Sequence, residues 1–283
     1  MIKQAIIPLA GLGTRLLPLT SVFAKELLPI NGKPGIEYIL DECIDAGITE
    51  IIFIISKKKE MIKKYFYNDI FYKSLIKKKK DPRIIKEYKK ILQYKKKIKF
   101  VYQSKPLGTG DAVLKTKKFI KNKFFLMLLP DDLIMKRNCS IDMIKLHNKY
   151  KGSVMASMSV KKKNVNRWGI YSISKRLNKQ NFVISDVIEK PSTKEAPSNN
   201  AVIGRYILSK NIFKILKKQK KGKGGEIHIT DSIKTMIDNK SLFIGHKFSG
   251  KYLDCGSMSG YINSTLEIAK LWKYVWLVPA MLG

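Results

Sequence analysis

Cysteine, histidine and arginine are all scarce in this chain of 283 residues, and acidic residues are few beside the basic ones. Cys43, Cys139 and Cys255 are odd in number and show neither paired nor metal-type spacing. That argues against a disulfide framework and for reduced thiols in a cytoplasmic setting. His147, His228 and His246 are too dispersed for a zinc site or a catalytic triad, and no Ser or Cys stands in a nucleophile elbow. Covalent catalysis is therefore not expected. The longest apolar runs fall well short of the ~20 residues needed to cross a bilayer. The opening "MIKQAIIPLAGL" superficially resembles a signal peptide, but Pro8, Gly11 and Arg15 interrupt it and no small-residue cleavage pattern follows.

Basic residues are what the chain has in excess. Lys and Arg number 56 against 22 Asp and Glu, a net charge of +34. Such a balance first suggests a nucleic-acid or membrane-surface partner. Arginine, however, stands only at 15, 83, 137, 167, 176 and 205, so nearly all of the excess is lysine. The lysines lie in short scattered runs, at 57–59, 77–80, 95–97, 161–163 and 217–223, among Ile, Tyr, Phe and Asn. We read them as compositional drift on solvated faces and expect neither a nucleic-acid nor a membrane partner. The positive field still favours a polyanionic small substrate within a Debye length of ~8 Å. A hydrophobic content of 45% with 10% aromatics is that of a globular chain with a real core.

The first part alternates strand and helix signals. "KQAIIPLA" reads as a buried strand, "GIEYILDECIDAG" (35–47) as an amphipathic helix closed by Gly47, and "EIIFIIS" (50–56) as a second buried strand. That spacing predicts a βαβ unit and a parallel sheet. Residues 61–94 read as a Lys- and Tyr-rich helical stretch broken near Asp81-Pro82, followed by the strand "IKFVYQ" and a Gly-rich turn into a helix. "FFLMLLPDDL" (124–133) is the most apolar strand and runs into two carboxylates. From Gly152 strands dominate, with helical signals returning in "DSIKTMID" and "YINSTLEIAKLWKY". No linker or repeat divides the chain. The expectation is one α/β domain over 1–283 with a β-rich second half.

Its first loop, "LAGLGTRLLP" (9–18), fits neither familiar phosphate loop. A Walker A loop needs Lys and Ser or Thr after its last Gly, and a dinucleotide fingerprint needs a third small residue where Leu16 stands. What remains is a strand running into a turn in which Gly11 and Gly13 permit close backbone approach. Such a turn can aim amides at an anion, and Arg15 adds a forked donor suited to phosphate. Ligands of open α/β sheets sit past the carboxyl ends of strands; Arg15, Gln103 and Asp131 all fall there. Lys25, Glu189-Lys190 and Asp254 complete the candidates. Taken singly, each has an ordinary reading as a surface charge or turn cap. Together, cations, carboxylates and glycine turns suit phosphoryl or nucleotidyl transfer, in which the protein positions phosphates and a divalent metal neutralises charge.

The order of "AGLGTRLLPLT", "KELLPI", "KPGIEYILDECIDAGITEII", "LPDDL", "IEKP", "PSNNAVIGRYIL", "GEIHITDSI" and "LDCGSMSGYINS" resembles the bacterial UTP–glucose-1-phosphate uridylyltransferases, within the sugar-nucleotide pyrophosphorylases. The resemblance runs to about residue 270. It implies a Rossmann-like nucleotidyltransferase fold with a mixed, mostly parallel central sheet, its nucleotide-binding half about 1–135 and its sugar-phosphate half about 136–265. It implies UTP and glucose 1-phosphate as substrates and in-line attack without a covalent intermediate. Arg15, Lys25 and Lys190 would be catalytic. Ala10, Gly11, Gly13, Thr14, Gln103 and Gly108 would hold the nucleotide, with Gln103 on the uracil edge. Gly169, Glu189 and Lys190 would hold the sugar phosphate, and Asp131 and Asp254 would hold Mg²⁺.

Three positions depart from that pattern. Ala24 stands where the family commonly has Pro. The Gly-rich turn reads "GTGDA" rather than "GLGHA", which places Asp111 near the nucleotide. The tail "WKYVWLVPAMLG" lacks the family's closing helical residues, which help assemble homo-oligomers, so quaternary state stays open. Thymidylyl or adenylyl transfer to glucose 1-phosphate is the nearest alternative, because an apolar wall discriminates one methyl by only ~1–3 kcal/mol. A basic nucleic-acid-binding protein with a decayed site is the alternative from another class.

Overall fold

The structure, a computed structural model, describes residues 1–271. The sequence readings that fall on 272–283, including the last residues of the closing helix, lie outside them.

The chain begins with β1 (Gln4–Pro8), whose C-terminal end opens into the glycine loop and three single turns of 3₁₀ helix at Thr14–Leu16, Leu19–Ser21 and Lys25–Leu27. A small hairpin, β2 (Pro29–Ile30) and β3 (Lys33–Pro34), leads into α1 (Gly35–Asp45). Gly47, at φ 79°, ends that helix; the Ile48 N–H turns back to donate to the Cys43 carbonyl at 3.0 Å. β4 (Glu50–Ile55) follows as expected.

The stretch read as one helical run with a single break is three helices: α2 (Glu60–Tyr67), α3 (Asp69–Lys79) and α4 (Pro82–Lys95). The break at Asp81-Pro82 is there, with Asp81 Oδ1 accepting from the Arg83 N–H at 2.8 Å and Pro82 opening α4. The further break falls at Asn68, whose side chain caps α3. Tyr65, Phe66 and Tyr94 pack inward from these helices, and Tyr72 stacks on Tyr88. Tyr67 and Phe71 of the same helices are exposed.

β5 (Ile98–Tyr102), α5 (Thr109–Lys115) and β6 (Phe124–Leu128) complete the first half. β6 stops three residues before Asp131, and Asp132 begins a separate strand, β7 (Asp132–Met135). The second half runs α6 (Cys139–Tyr150), β8 (Ser153–Ser159), β9 (Gly169–Arg176), β10 (Asn181–Glu189), β11 (Asn200–Ser209), α7 (Ile212–Leu216), α8 (Ile229–Asp238), β12 (Phe243–Lys247), β13 (Lys251–Asp254) and α9 (Met258–Leu271).

Nine strands form one sheet in the order β5-β4-β1-β6-β11-β8-β12-β10-β9, with β13 and β7 paired apart. β5, β4, β1 and β6 are all parallel. Beyond β6 the sheet is antiparallel except where β12 meets β8. The expectation of a mixed sheet holds; that of a mostly parallel one holds only for the first half. The reason is connectivity: β9 and β10 follow one another through a short turn, which can join only antiparallel neighbours, whereas parallel ones need a crossover.

Alternate residues of the central strands enter two cores. Ala5, Ile7, Ile51, Phe53 and Ile55 face α1, α2, α4 and α6, while Ile6, Ile52 and Ile54 face α5, α7 and α8. Strands covered on both faces must read as continuous apolar runs, as "EIIFII" does. One charged pair is sunk in this packing. Arg205 of β11, fully buried, donates to Glu42 of α1 at 2.8–3.1 Å and to the carbonyls of Leu129 and Gly204, and Ser140 donates to Glu42 at 2.6 Å. It clamps the end of β6, and with it the turn that carries Asp131.

Candidate active site

A cleft of about 490 Å³ opens across the carboxyl ends of the parallel strands. Every residue given a site role from the sequence lines it: Ala10, Gly11, Gly13, Thr14, Arg15, Lys25, Gln103, Gly108, Asp131, Gly169, Glu189, Lys190 and Asp254; Asp111 is buried behind Gln103. The sheet explains this convergence. β5, β1 and β6, with β4 between the first two, run parallel and end at the same edge of the sheet, delivering the loops at 103–108, 9–15 and 129–131 to it. From the other half, Gly169 and Glu189 are register partners at the start of β9 and the end of β10.

At the floor, Lys25 Nζ donates to Asp131 Oδ2 at 2.6 Å, and Arg15 Nη2 lies 3.6 Å from the same oxygen. Burial pushes the Asp131 carboxyl up, but the charge and hydrogen bond of Lys25, with Arg15 behind them, outweigh it and hold the group below the usual carboxylate range. Lys25 is the reciprocal case. Burial would lower its ammonium, yet Asp131 and Glu26 more than offset that and raise it. Both groups are therefore charged at neutral pH. Arg15 differs from Lys25 in exposure: its side chain is 63% exposed and stands at the cleft rim, where an incoming anion can reach it. Gly13, at φ 72°, sets the turn into Thr14-Arg15, and its carbonyl accepts from Thr20 Oγ1 at 2.9 Å. Ala24, where proline was expected, keeps a proline-like φ of −67°, and its extra N–H donates to Met61 Sδ at 3.0 Å.

Asp254 reaches the same floor from β13, which pairs with β7 so that Asp254 faces Asp132. A Cβ placed on Gly256 would lie 2.7 Å from Asp131 Oδ2, 2.9 Å from Arg15 Nη2 and 3.2 Å from Asp254 Oδ1. Two carboxylates and a guanidinium thus converge over a space that only glycine leaves open. Among the described residues no three or more His, Cys, Asp or Glu cluster as a closed metal cage. The oxygen-only donor pair fits instead a hard cation that completes its shell with phosphate and water.

Across the cleft, Glu189 Oε2 accepts from Thr230 Oγ1 at 2.6 Å, and Gly169 leaves room beside it: a Cβ there would touch Glu189 Oε2 and the Thr230 methyl, each at 3.4 Å. Lys190 holds a positive φ of 44°, its N–H on the Trp168 carbonyl at 3.1 Å and its ammonium 3.8 Å from Glu189.

Several lining residues were not anticipated. Arg167 donates to Asp254 Oδ2 at 2.9 Å and lies over the Trp168 ring. It precedes Gly169 by two residues, a basic neighbour that the sequence offered without a partner. Asp132 had been noted only as the second carboxylate of "PDDL". It turns away from Asp131, accepting from Tyr252 Oη at 2.6 Å and the Gly204 N–H at 3.0 Å. Burial and the Asp131 charge push it up to about 6, against the pull of Tyr252 and Arg205. Pairing between β13 and β7 makes this arrangement, and nothing local in the sequence announces it.

Comparison with known proteins gives a consistent picture. Residues 4–270 match the family model described as nucleotidyl transferase. The UTP–glucose-1-phosphate uridylyltransferase 2 of Streptococcus pyogenes serotype M3 is 35% identical over 273 residues, covering 95% of this chain and 90% of that protein. Among solved structures, a UDP-glucose pyrophosphorylase complexed with UDP-glucose superposes with a TM-score of 0.84 at 35% identity, covering 96% of this chain and 100% of the other. The UTP-bound enzyme of the same kind from Acinetobacter baumannii gives 0.82 at 31%, covering 95% and 94%. The expected fold class is that of these structures.

Proposed function

This chain belongs to the nucleotidyl transferase family, and from that premise we propose that it transfers the uridylyl group of UTP to glucose 1-phosphate, releasing pyrophosphate. The observation that carries the proposal is the meeting of Asp131, Arg15 and Asp254 around Gly256, with the glycine loop on one side and Glu189-Lys190 on the other.

The uridine would lie between the loop at 10–14 and Gln103-Gly108, its triphosphate under Arg15. Glu189, with one oxygen held by Thr230, would take sugar hydroxyls over Gly169. Lys190 would hold the 1-phosphate. An oxygen of that phosphate attacks the α-phosphorus in line, and pyrophosphate leaves opposite. Lys25 stays protonated against Asp131, so it acts as a fixed charge rather than as an acid. Arg15, free to swing from the rim, meets charge that builds on the leaving pyrophosphate. Asp131 and Asp254 are the residues that would hold Mg²⁺, which when bound supplies charge neutralisation between the two phosphates.

The chain works here as one domain, with the two halves of the sheet serving the two substrates. Its three cysteines are buried and unpaired, which suits a cytoplasmic setting. Among the described residues no helix is long and apolar enough to cross a membrane. The test is pyrophosphate release from purified protein with glucose 1-phosphate, Mg²⁺ and, in turn, UTP, dTTP, CTP and ATP. UTP should give the highest kcat/KM. Preference for another triphosphate would reassign the base, and no release with any would overturn the proposal.

A further inference from the structure

Gln103 and Asp111 form a buried pair on the nucleotide side of the cleft, each 5% exposed. Gln103 follows β5, and Asp111 sits in the first turn of α5. The Gln103 amide nitrogen donates to Asp111 Oδ2 at 2.8 Å and to the Gly108 carbonyl at 3.2 Å. A primary amide has two N–H donors, and both are now used. The reversed amide would set its oxygen against a carboxylate and a carbonyl, neither of which can donate. The carbonyl oxygen Oε1 is therefore what Gln103 has left to offer, and it can only accept.

The frame around the pair is pinned. The Gly110 N–H donates to the Ile227 carbonyl at 2.7 Å, and the Ile227 N–H donates to Leu107 at 2.8 Å. Lys115, one turn along α5, lies 3.4 Å from the other Asp111 oxygen. A Cβ on Gly108 would stand 2.7 Å from the Ile227 carbonyl oxygen, so the turn packs directly against the backbone at 227.

We propose that Asp111 is a positioning residue for base selection: it locks the Gln103 amide so that only an acceptor faces the nucleotide, which admits a pyrimidine carrying a ring N3–H. The inference rests on reading the cleft as a nucleotide site and deepens it. Uracil presents N3–H between two carbonyls. Cytosine presents a bare N3 acceptor, and lone pair would face lone pair. Leaving such groups unpaired in a buried site is what gives hydrogen-bonding pockets their selectivity.

The experiment measures UTP and CTP affinity by calorimetry for the full chain, Asp111→Asn, Gln103→Ala and the double variant, with UDP-glucose formation followed in parallel. Wild type should favour UTP by roughly tenfold or more. Asparagine can turn its own amide to donate to Gln103, which leaves the Gly108 carbonyl alone to hold Nε2 away from the base, so Asp111→Asn should lower the UTP:CTP ratio several-fold. In the Gln103→Ala background the same change should leave the ratio unaltered. The charge lost at 111 acts on both nucleotides alike and cancels in the ratio. Should Asp111→Asn not fold, Asp111→Ser, which can also donate or accept, carries the same expectation. Equal affinity of wild type for both nucleotides, an unchanged ratio in the variants, or an equal shift without Gln103 would each overturn the assignment. UTP selectivity that depends on Asp111 without UDP-glucose formation would sink the proposed reaction and leave this inference standing.

Discussion

The two halves of the cleft present functional groups by different means. In the parallel half, strands stop and loops carry the groups past the sheet edge: the glycine turn with Arg15, Gln103, and the 129–131 turn with Asp131. In the antiparallel half, groups sit at strand ends fixed by pairing: Gly169 opposite Glu189, Asp254 opposite Asp132. Loops can bring backbone amides and flexible cations to a phosphate, whereas a paired strand end holds one side chain in one place. Both sides carry cations. Lys25 and Arg15 gather on the parallel side around Asp131, where a triphosphate would lie; Arg167 and Lys190 stand beside Asp254 and Glu189 on the other, where a carboxylate held by a threonine hydroxyl would face the second substrate.

If the halves cooperate at one metal, the sharpest way to break the comparison is to remove the carboxylate each contributes. Asp131→Asn and Asp254→Asn should each lower pyrophosphate release by ~10³ or more, and the double variant should be little worse than either. Losses that multiply would show two independent sites. Next in size is Arg15→Ala, expected to cost about 10²–10³ in kcat with an unchanged unfolding midpoint; near-normal turnover would reduce the loop to a plain turn. Glu189→Gln probes the antiparallel side. It should raise the KM for glucose 1-phosphate about tenfold with little change in kcat, as expected for binding shared by ground and transition states. A fall in kcat at constant KM would instead place Glu189 in the chemistry.

The difference between the halves also accounts for what could be read from the sequence. Continuous apolar runs such as "EIIFII" have one stable fate, a strand covered on both faces, and the loop after such a strand is a site by position. Arg15, Gln103 and Asp131 were legible for that reason. The second half resists the same reading because its geometry is made by pairing between distant strands. That Asp132 turns to Tyr252, that Arg167 meets Asp254, and that the sheet becomes antiparallel past β6 all follow from contacts separated by tens of residues or more. The buried Arg205 was equally hidden. In "VIGRY" it reads as a polar interruption in a strand, and only the fold shows Glu42 waiting for it on α1. Glu189 and Asp254 stood among the candidates as single charges, and only the family resemblance gave them roles and added Gly169.

The smallest effect concerns proton uptake, and it too separates the halves. His246 of β12 is buried opposite its register partner Asn181, with 2.8 Å between Nδ1 and the Asn181 side-chain oxygen. An amide oxygen only accepts, so Nδ1 carries the proton. Nε2 is buried with no partner among the described residues. Protonation would put a second N–H where nothing accepts it, and burial, helped by Arg137 and opposed by Asp142, lowers this histidine below its ordinary value of 6.5. The unfolded chain then binds the proton more readily. The folded state incurs no cost well above pH 6.5, loses stability as pH falls through 6.5, and loses no more once pH is below the folded value. Asp132 acts in the opposite sense over a neighbouring interval: held at about 6, it penalises the folded state above that pH and is relieved on acidification. Wild-type stability alone would therefore mix the two. The difference between wild type and His246→Gln, which retains a donor toward Asn181 and does not titrate, cancels the aspartate. Measured by urea unfolding between pH 8 and 5, the variant should gain on wild type by about 1 kcal/mol as the pH falls. A difference independent of pH would mean that His246 takes up its proton as freely in the folded sheet as in the unfolded chain.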